Sequence, residues 1–401
     1  MKFQPANRIE RLPPYVLARL KQLIYERRRD GADVIDLNMG NPMDPPPDPV
    51  VDKIRQAVLD PRNSRYSISK GLYNLRRDFS QKYQRKWGVQ IDPEHEVIAT
   101  IGSKEGFSHM CLALLGPGDI TVVTNPAFQI HTYAVILAGA SVIQVPLGND
   151  DAFLDRIEDK LQHLSPKPKL IVLNFPNNPT GMTVSLNFFE KVVHLADKHQ
   201  VGILHDFAYG ETCFDGYTAP SYLQAPGAKE YGVEFSTLSK PYNMAGWRIG
   251  FCAGHAQMLN ALATIKGYYD YGIFQAVQIA AIIAMREGDK HIEEQARLYQ
   301  VRRDVLARGL GRLGWQVDLP RASMFLWARV KPEHLAAYNG STNDLCLAMV
   351  DEAEVAMTPG AAFGDLGEGY VRLALVENEH RLRQALRQLA RVLNKSAATS
   401  V

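Results

Sequence analysis

Between residues 97 and 253 the chain alternates β-branched apolar runs with stretches of helical periodicity, and few folds accept that alternation. Strand-like runs occupy 97–101, 120–124, 141–145, 170–174, 202–205, 234–238 and 249–253. Amphipathic helices lie between several of them; one covers 186–199 with Phe189, Val192, Val193 and Ala196 on a single face. Strands separated by helices need crossover connections. The expected fold class is therefore α/β, with a mainly parallel seven-stranded sheet between layers of helices.

The flanking regions have a different texture. The proline-rich stretch 41–49 reads as a linker or hinge. After about residue 283 a charged helix (290–313) leads into strands near 316–319, 324–330 and 370–375. A last helix carries Leu382, Leu386, Leu389 and Leu393 at helical spacing, with Asn378 as its N-cap. These patterns divide the chain into a large domain, 48–283, and a smaller α+β domain, 284–401, which the N-terminal arm 1–47 completes.

Composition narrows the function classes. Hydrophobic residues make up 46% and charged residues 22% of 401, the balance of an ordinary globular chain. A net charge of +2 supplies no field for nucleic acid or an anionic membrane. There is no secretory h-region and no membrane-length apolar run, so a cytoplasmic protein is expected. The apolar segment around 278–285 reads as a buried helix. Four scattered cysteines (Cys111, Cys213, Cys252, Cys346) form no CxxC pair, which points to reduced thiols and to no metal site.

Three consecutive strands each end in an unusual polar group. They read LIVLNFPNNPTG (170–181), VGILHDFAY (201–209) and VEFSTLSK (233–240). Ligands of open parallel sheets sit beyond the carboxyl ends of the strands. Asn178, Asp206, Tyr209 and Lys240 are thus expected in one pocket despite their separation in sequence. Taken singly, each has a plainer reading: Asp206 as a helix N-cap, Lys240 as a solvated lysine, Tyr209 as a core tyrosine, and NNPTG as a turn. Only their joint arrangement favours chemistry. TIGSKEG (100–106) adds a glycine-flanked turn opening a helix, which suits a phosphate but serves equally as an ordinary strand-to-helix turn. It lacks the Walker pattern.

With those residues in view, SKPYNMAGWRIG (239–250) resembles the lysine signature of class I/II aminotransferases, fold-type I enzymes that use pyridoxal 5′-phosphate (PLP). NPAF (125–128), NNPTG (177–181), DFAY (206–209) and YVR (370–372) stand around it in the family order, and the likeness runs from LPPY (12–15) to the final helix. Within the family the chain is most similar to the bacterial glutamate–pyruvate (alanine) aminotransferase subgroup, itself similar to LL-diaminopimelate aminotransferases. One departure is Thr237, where Gly or Ser is usual; threonine keeps the hydroxyl.

The resemblance implies roles residue by residue. Lys240 would carry PLP as a Schiff base and then move the substrate proton, which requires a pKa lowered by burial and nearby cations. Asp206 would pair with the pyridine nitrogen; losing that carboxylate would strand a buried cation at about 3–5 kcal/mol. Tyr209 and Asn178 would bond the cofactor O3′, and Phe128 would stack on its ring. The phosphate would lie on the Ser103 and Lys104 amides, the Thr237 and Ser239 hydroxyls and Arg248, whose planar fork matches it. Tyr66, in RYSISKG (65–71), would reach the phosphate of a neighbouring subunit, which implies a homodimer with shared active sites. Arg372 would clamp the substrate α-carboxylate. Gly40, Asn178 and Tyr15 would complete the substrate side, and cis peptides are implied before Pro126 and Pro179.

The implied reaction is ping-pong transamination, with alanine/pyruvate and glutamate/2-oxoglutarate as the first choice. Lys70 and Lys104 are candidates for a distal carboxylate, and both also read as solvent-facing. Alternatives are LL-diaminopimelate, methionine or aromatic substrates, or β-elimination at a C–S bond on the same scaffold. A non-catalytic PLP-binding regulator would need a DNA-binding region, and the residues before the sheet contain no plausible helix-turn-helix.

Overall fold

The computed structural model describes residues 3–13 and 16–399. Its centre is a seven-stranded sheet of β1 (Val97–Thr100), β2 (Ile120–Asn125), β3 (Ser141–Pro146), β4 (Leu170–Asn174), β5 (Gly202–Asp206), β6 (Gly232–Thr237) and β7 (Gly250–Gly254). The spatial order is β1-β7-β6-β5-β4-β2-β3. Pairings from β3 across to β6 are parallel, and β7 runs antiparallel to both neighbours. All seven expected strands are present within one or two residues.

The apolar runs are continuous because both faces of this sheet are covered. Alternate residues go to opposite sides: Ile171, Leu173 and Ile203 join one core, whereas Leu170, Val172 and Leu204 join the other. On the first side lie α1 (Tyr73–Trp87) and α4 (Leu186–His199), packing Phe79, Tyr83, Phe188, Phe189 and Val192. On the second lie α2 (Gly102–Leu114), α3 (Gln129–Leu137) and α5 (Ala256–Tyr269), packing Phe107, Met110, Val135, Leu259 and Leu262. Helix α4 matches its expected bounds; Ser185 caps it at the Phe188 N–H, and Gln200 at φ 53° stops it.

The expected buried helix is α6 (Gln275–Glu287), and the charged one is α7 (Asp289–Arg312). A second, antiparallel sheet holds β8 (Gln316–Val317), β9 (Phe325–Arg329), β10 (Thr358–Pro359) and β11 (Tyr370–Ala374), in the order β10-β11-β9-β8. The last helix, α8 (Glu379–Thr399), starts at Asn378, whose Oδ1 accepts the Arg381 N–H at 3.0 Å. Leu382, Leu389 and Leu393 are fully buried beneath it. The N-terminal segment joins this part of the molecule, where Ile35–Asp36 pairs in parallel with Val355–Ala356.

The stretch read as a linker is shorter than expected, because a helix with Pro49 in its first turn already begins at Asp48. The four cysteines are free thiols, three of them buried. Among the described residues no helix is long and apolar enough to cross a membrane.

Candidate active site

The strand order reverses between β2 and β4, the place where an open parallel sheet forms a ligand crevice at the carboxyl ends of its strands. The loops after β2, β4, β5 and β6 border it. Lys240 lies three residues beyond β6, and its Nζ donates to the Gly40 carbonyl at 2.5 Å. Burial pushes the Lys240 ammonium down to about 8; the Arg372 and Arg248 charges push the same way, and Asp206 opposes them. Ordinary lysine titrates near 10.4, so this amine is far closer to being a free base at neutral pH.

Asp206 ends β5 in a buried position. Its Oδ2 lies 2.9 Å from His131 Nε2, and its Oδ1 accepts the Ala208 N–H at 3.1 Å. Asn174, its register partner on β4, donates from Nδ2 to the Asp206 backbone carbonyl at 2.7 Å. The Asn174 Oδ1 accepts the Asn178 N–H at 2.8 Å. One side chain therefore fixes two of the expected site residues.

Asn178 in turn accepts from Arg372 Nη1 at 2.8 Å. Arg372 Nη2 donates to the Asn38 carbonyl at 2.8 Å and to Thr358 Oγ1 at 3.3 Å. These acceptors are uncharged. The guanidinium carbon lies 4.0 Å from the Phe325 ring centre and 4.7 Å from that of Phe363, a stacked environment that suits arginine. Tyr209 is buried with its ring edge-on to Phe325 at 5.6 Å. Burial raises its phenol pKa, Arg372 opposes, and Asp206 adds to the rise. A Cβ on Gly40 would collide with the Phe325 ring, so only glycine fits this approach.

The opposite side of the crevice is an anion cup. Helix α2 opens at Gly102, in the left-handed region at φ +72°, and runs on through Ser103 and Lys104. The first turn of any helix leaves its N–H groups without intrahelical partners. Thr237 Oγ1 donates to the Ile249 carbonyl at 3.1 Å and accepts the Ser239 N–H at 3.1 Å. Arg248, at φ 54°, donates to the Ala245 and Ile101 carbonyls at 3.0 and 3.3 Å. Burial, followed by the Arg248 charge, lowers the Lys104 pKa. Gly250 leaves room for this turn, since a Cβ there would lie 2.8 Å from the Ser103 nitrogen. Helix amides, two hydroxyls and two cations suit a phosphate dianion. A buried carboxylate and an amine of lowered pKa share the crevice with the cup, so the residues fit PLP.

Phe128, Tyr66 and Lys70 make contacts of their own. Phe128 is half-buried at the start of α3, 5.7 Å from the His131 ring, one side chain removed from Asp206. Tyr66 is 90% exposed and rests edge-on against Tyr271 at 5.5 Å. Tyr15 lies outside the described residues. Lys70 is half-buried, and its carbonyl accepts the Ala99 N–H. The peptides before Pro126 and Pro179 are cis, as are those before Pro166 and Pro176.

Sequence reading passed over His131, Asn174 and Asn38. Asn174 carried a signal, the polar end of an otherwise apolar run. His131, one helical turn beyond Phe128, carried none strong enough. Size would not have found the site either: a cleft of about 810 Å³, lined by Trp87, Glu96, Lys229 and His255 among others, lies elsewhere.

The large sheet with its flanking helices and a second, smaller sheet is the architecture of fold-type I enzymes, which depend on PLP. The chain belongs to the class I and II aminotransferases, whose family model ("Aminotransferase class I and II") matches residues 32–389. It is 47% identical over 381 residues to the glutamate-pyruvate aminotransferase AlaC of Escherichia coli (strain K12), covering 95% of this chain and 92% of that one. It is 42% identical over 392 residues to an LL-diaminopimelate aminotransferase of Moorella thermoacetica, covering 98% and 99%. Among solved structures, apo-BacF from Bacillus subtilis superposes with a TM-score of 0.91 at 30% identity, covering 98% of each chain. A Thermus thermophilus aspartate aminotransferase double mutant gives 0.88 at 26% identity, covering 98% and 100%.

Proposed function

We propose that this aminotransferase exchanges nitrogen between alanine/pyruvate and glutamate/2-oxoglutarate in a ping-pong cycle, with Lys240 as the amine that holds the cofactor. The observation that carries the reading is the Lys240 Nζ, lowered to about 8 by burial and by the Arg372 and Arg248 charges, against the opposing pull of Asp206. When bound, PLP supplies an electron sink that makes the Cα proton of an amino acid removable. Lys240 Nζ takes that proton from Cα and later returns one to the product. Asp206, held by His131 and the Ala208 N–H, is assigned to the cofactor's ring nitrogen. Tyr209 and Asn178 are assigned to the cofactor's O3′, and Phe128 to its ring face. Ser103, Lys104, Thr237, Ser239 and Arg248 are assigned to the phosphate.

Arg372 receives the α-carboxylate, and its stacking between Phe325 and Phe363 fixes the plane of the fork before substrate arrives. Gly40, with Asn178, borders the same carboxylate. Support for the alanine/glutamate pair is the likeness to the Escherichia coli glutamate-pyruvate aminotransferase. The LL-diaminopimelate relatives at similar identity make that substrate the second reading. Tyr66, solvent-exposed in the single chain, is assigned to the partner's phosphate in a homodimer. A cytoplasmic location accords with these roles.

The test offers purified protein with PLP a panel of amino acids and 2-oxoglutarate, with glutamate, ammonia and keto acid measured separately. Glutamate formed from alanine is the expected result. Activity confined to LL-diaminopimelate, or ammonia released in place of glutamate, sinks the alanine reading. Undiminished turnover by Lys240→Ala removes the assigned role of the lysine.

A further inference from the structure

Beside the anion cup lies a charge cluster, three half-buried groups around one buried lysine, that the reaction does not use. Lys266, on α5, is fully buried. Its Nζ lies 3.2 and 3.3 Å from the two Glu105 oxygens and 3.1 and 3.0 Å from those of Asp270. His109 Nδ1 stands 2.5 Å from Glu105 Oε1 and 3.5 Å from Asp270 Oδ2. Glu105, His109 and Asp270 offer ligand atoms within 4.8 Å of one another, a spacing that a metal ion accepts. The lysine ammonium, however, already contacts both carboxylates. This cluster is an internal ion pair rather than a metal site; burial raises the Glu105 pKa and the Lys266 charge opposes the rise.

Its position gives it a task. Glu105 follows Lys104 in the first turn of α2, and its Oε2 accepts the Ile101 N–H at 2.6 Å. The carbonyl of the same Ile101 accepts from Arg248 at 3.3 Å. The turn entering the helix is therefore held from both sides, by Glu105 and by Arg248. A carboxylate in that turn is also a like charge next to a bound phosphate dianion. Unless a cation offsets it, it weakens the cup that it shapes.

We propose that Lys266 is a positioning residue for the phosphate end of the cofactor site: its ammonium both offsets the Glu105 charge and holds that carboxylate against the Ile101 N–H. The inference rests on the assignment of the phosphate to the N-terminus of α2. Lys266 touches neither cofactor nor substrate, so its effect belongs to the phosphate alone.

The experiment titrates the full-length apoprotein with PLP and with pyridoxal, which lacks only the phosphate, and follows absorbance and fluorescence. The quantity read is the ratio of the two dissociation constants. Lys266→Met should cut the preference for PLP by about ten-fold or more while the pyridoxal constant stays within about three-fold. Adding Glu105→Gln to that variant should restore most of the preference, because glutamine keeps an acceptor for Ile101 and removes the uncompensated charge. A wild-type ratio in Lys266→Met, or a double variant no better than the single one, overturns the proposal.

Arg248→Ala serves as a control on the underlying assignment. If that variant leaves the ratio unchanged, the phosphate lies elsewhere and the Lys266 proposal falls with the assignment; if it lowers the ratio, the results on Lys266 stand on their own. Should Lys266→Met fail to fold, Glu105→Ala against Glu105→Gln decides the matter, since both lack the charge and only glutamine can accept from Ile101. A lower ratio in the alanine variant supports the positioning role, and equal ratios overturn it.

Discussion

Asn174 and Asp206 are register partners on adjacent parallel strands, and the Asn174 side-chain amide donates to the Asp206 carbonyl at 2.7 Å. The same side chain takes the Asn178 N–H at 2.8 Å, so Asp206 and the loop facing Arg372 share one brace. Asn174→Ala leaves buried polar groups unpaired on both sides of the crevice, at about 1–3 kcal/mol for each group. Denaturant titration should show the loss of stability. Steady-state kinetics should show kcat/KM lowered by roughly ten-fold or more, because Asp206 and Asn178 move together. Wild-type values in both measurements would contradict the brace.

The lowered Lys240 pKa makes a pH prediction. Only the neutral amine attacks an aldehyde, so capture of PLP by the apoprotein should speed up as pH rises and level off above about 8. An unperturbed lysine would go on rising toward about 10. After burial, Arg372 is the largest cause of the shift. Arg372→Ala removes that repulsion, favours the protonated form and moves the inflection upward. Stopped-flow absorbance across pH 6–10 reads both effects; an inflection unmoved by the substitution rules out the coupling.

Arg372 is tested separately by Arg372→Lys, which keeps a charge and loses the fork. An ammonium cannot reproduce paired bonds to a carboxylate or the stacking between Phe325 and Phe363. The kcat/KM for every amino acid tried should fall by roughly 10- to 100-fold, carried mainly by KM. A loss restricted to one substrate would place Arg372 on the side chain instead of the α-carboxylate.

Glu211 supplies a prediction about acid stability. Burial alone would push its carboxyl up, but Lys82 and Lys86, at 2.6 and 2.8 Å, outweigh that and hold it at about 2. The folded pKa therefore lies below the unfolded value of about 4.3. Its stabilisation is complete above that value and is lost as pH falls toward 2. Glu211→Gln should cost about 3 kcal/mol at neutral pH, because it leaves the buried Lys82 charge with only the Tyr242 hydroxyl and ring to offset it. The gap from wild type should close between about pH 4 and pH 2. Denaturant titrations across that range would expose a constant gap if the pairing were unimportant.

Much of the large sheet was legible because strands buried on both faces write themselves as unbroken apolar runs. Leu170–Asn174 is buried at every position and was bounded to the residue. Asp206 and Lys240 stood out because polar groups terminated such runs. The N-terminal helices were harder to read. Tyr73–Trp87 buries Arg76, Asp78 and Lys82 alongside its aromatic residues, so its inner face carries charges that read as solvent-facing. Two-residue strands such as Ile35–Asp36 are too short to show a period, and distant pairing with Val355–Ala356 creates them. His131 lay on an ordinary helix, where only the fold brings its ring to Asp206. Tyr66 shows the opposite limit: it is exposed in the single chain, so its surroundings there give no sign of the role expected of it.

The single ring of Phe325 meets the Arg372 guanidinium, the Tyr209 ring and the backbone at Gly40. Three segments distant in sequence thus lean on the same six carbon atoms. An engineer hoping to enlarge this active site could not shave that aromatic without loosening all three at once. Libraries aimed at new amino acids should leave position 325 untouched and diversify the rim.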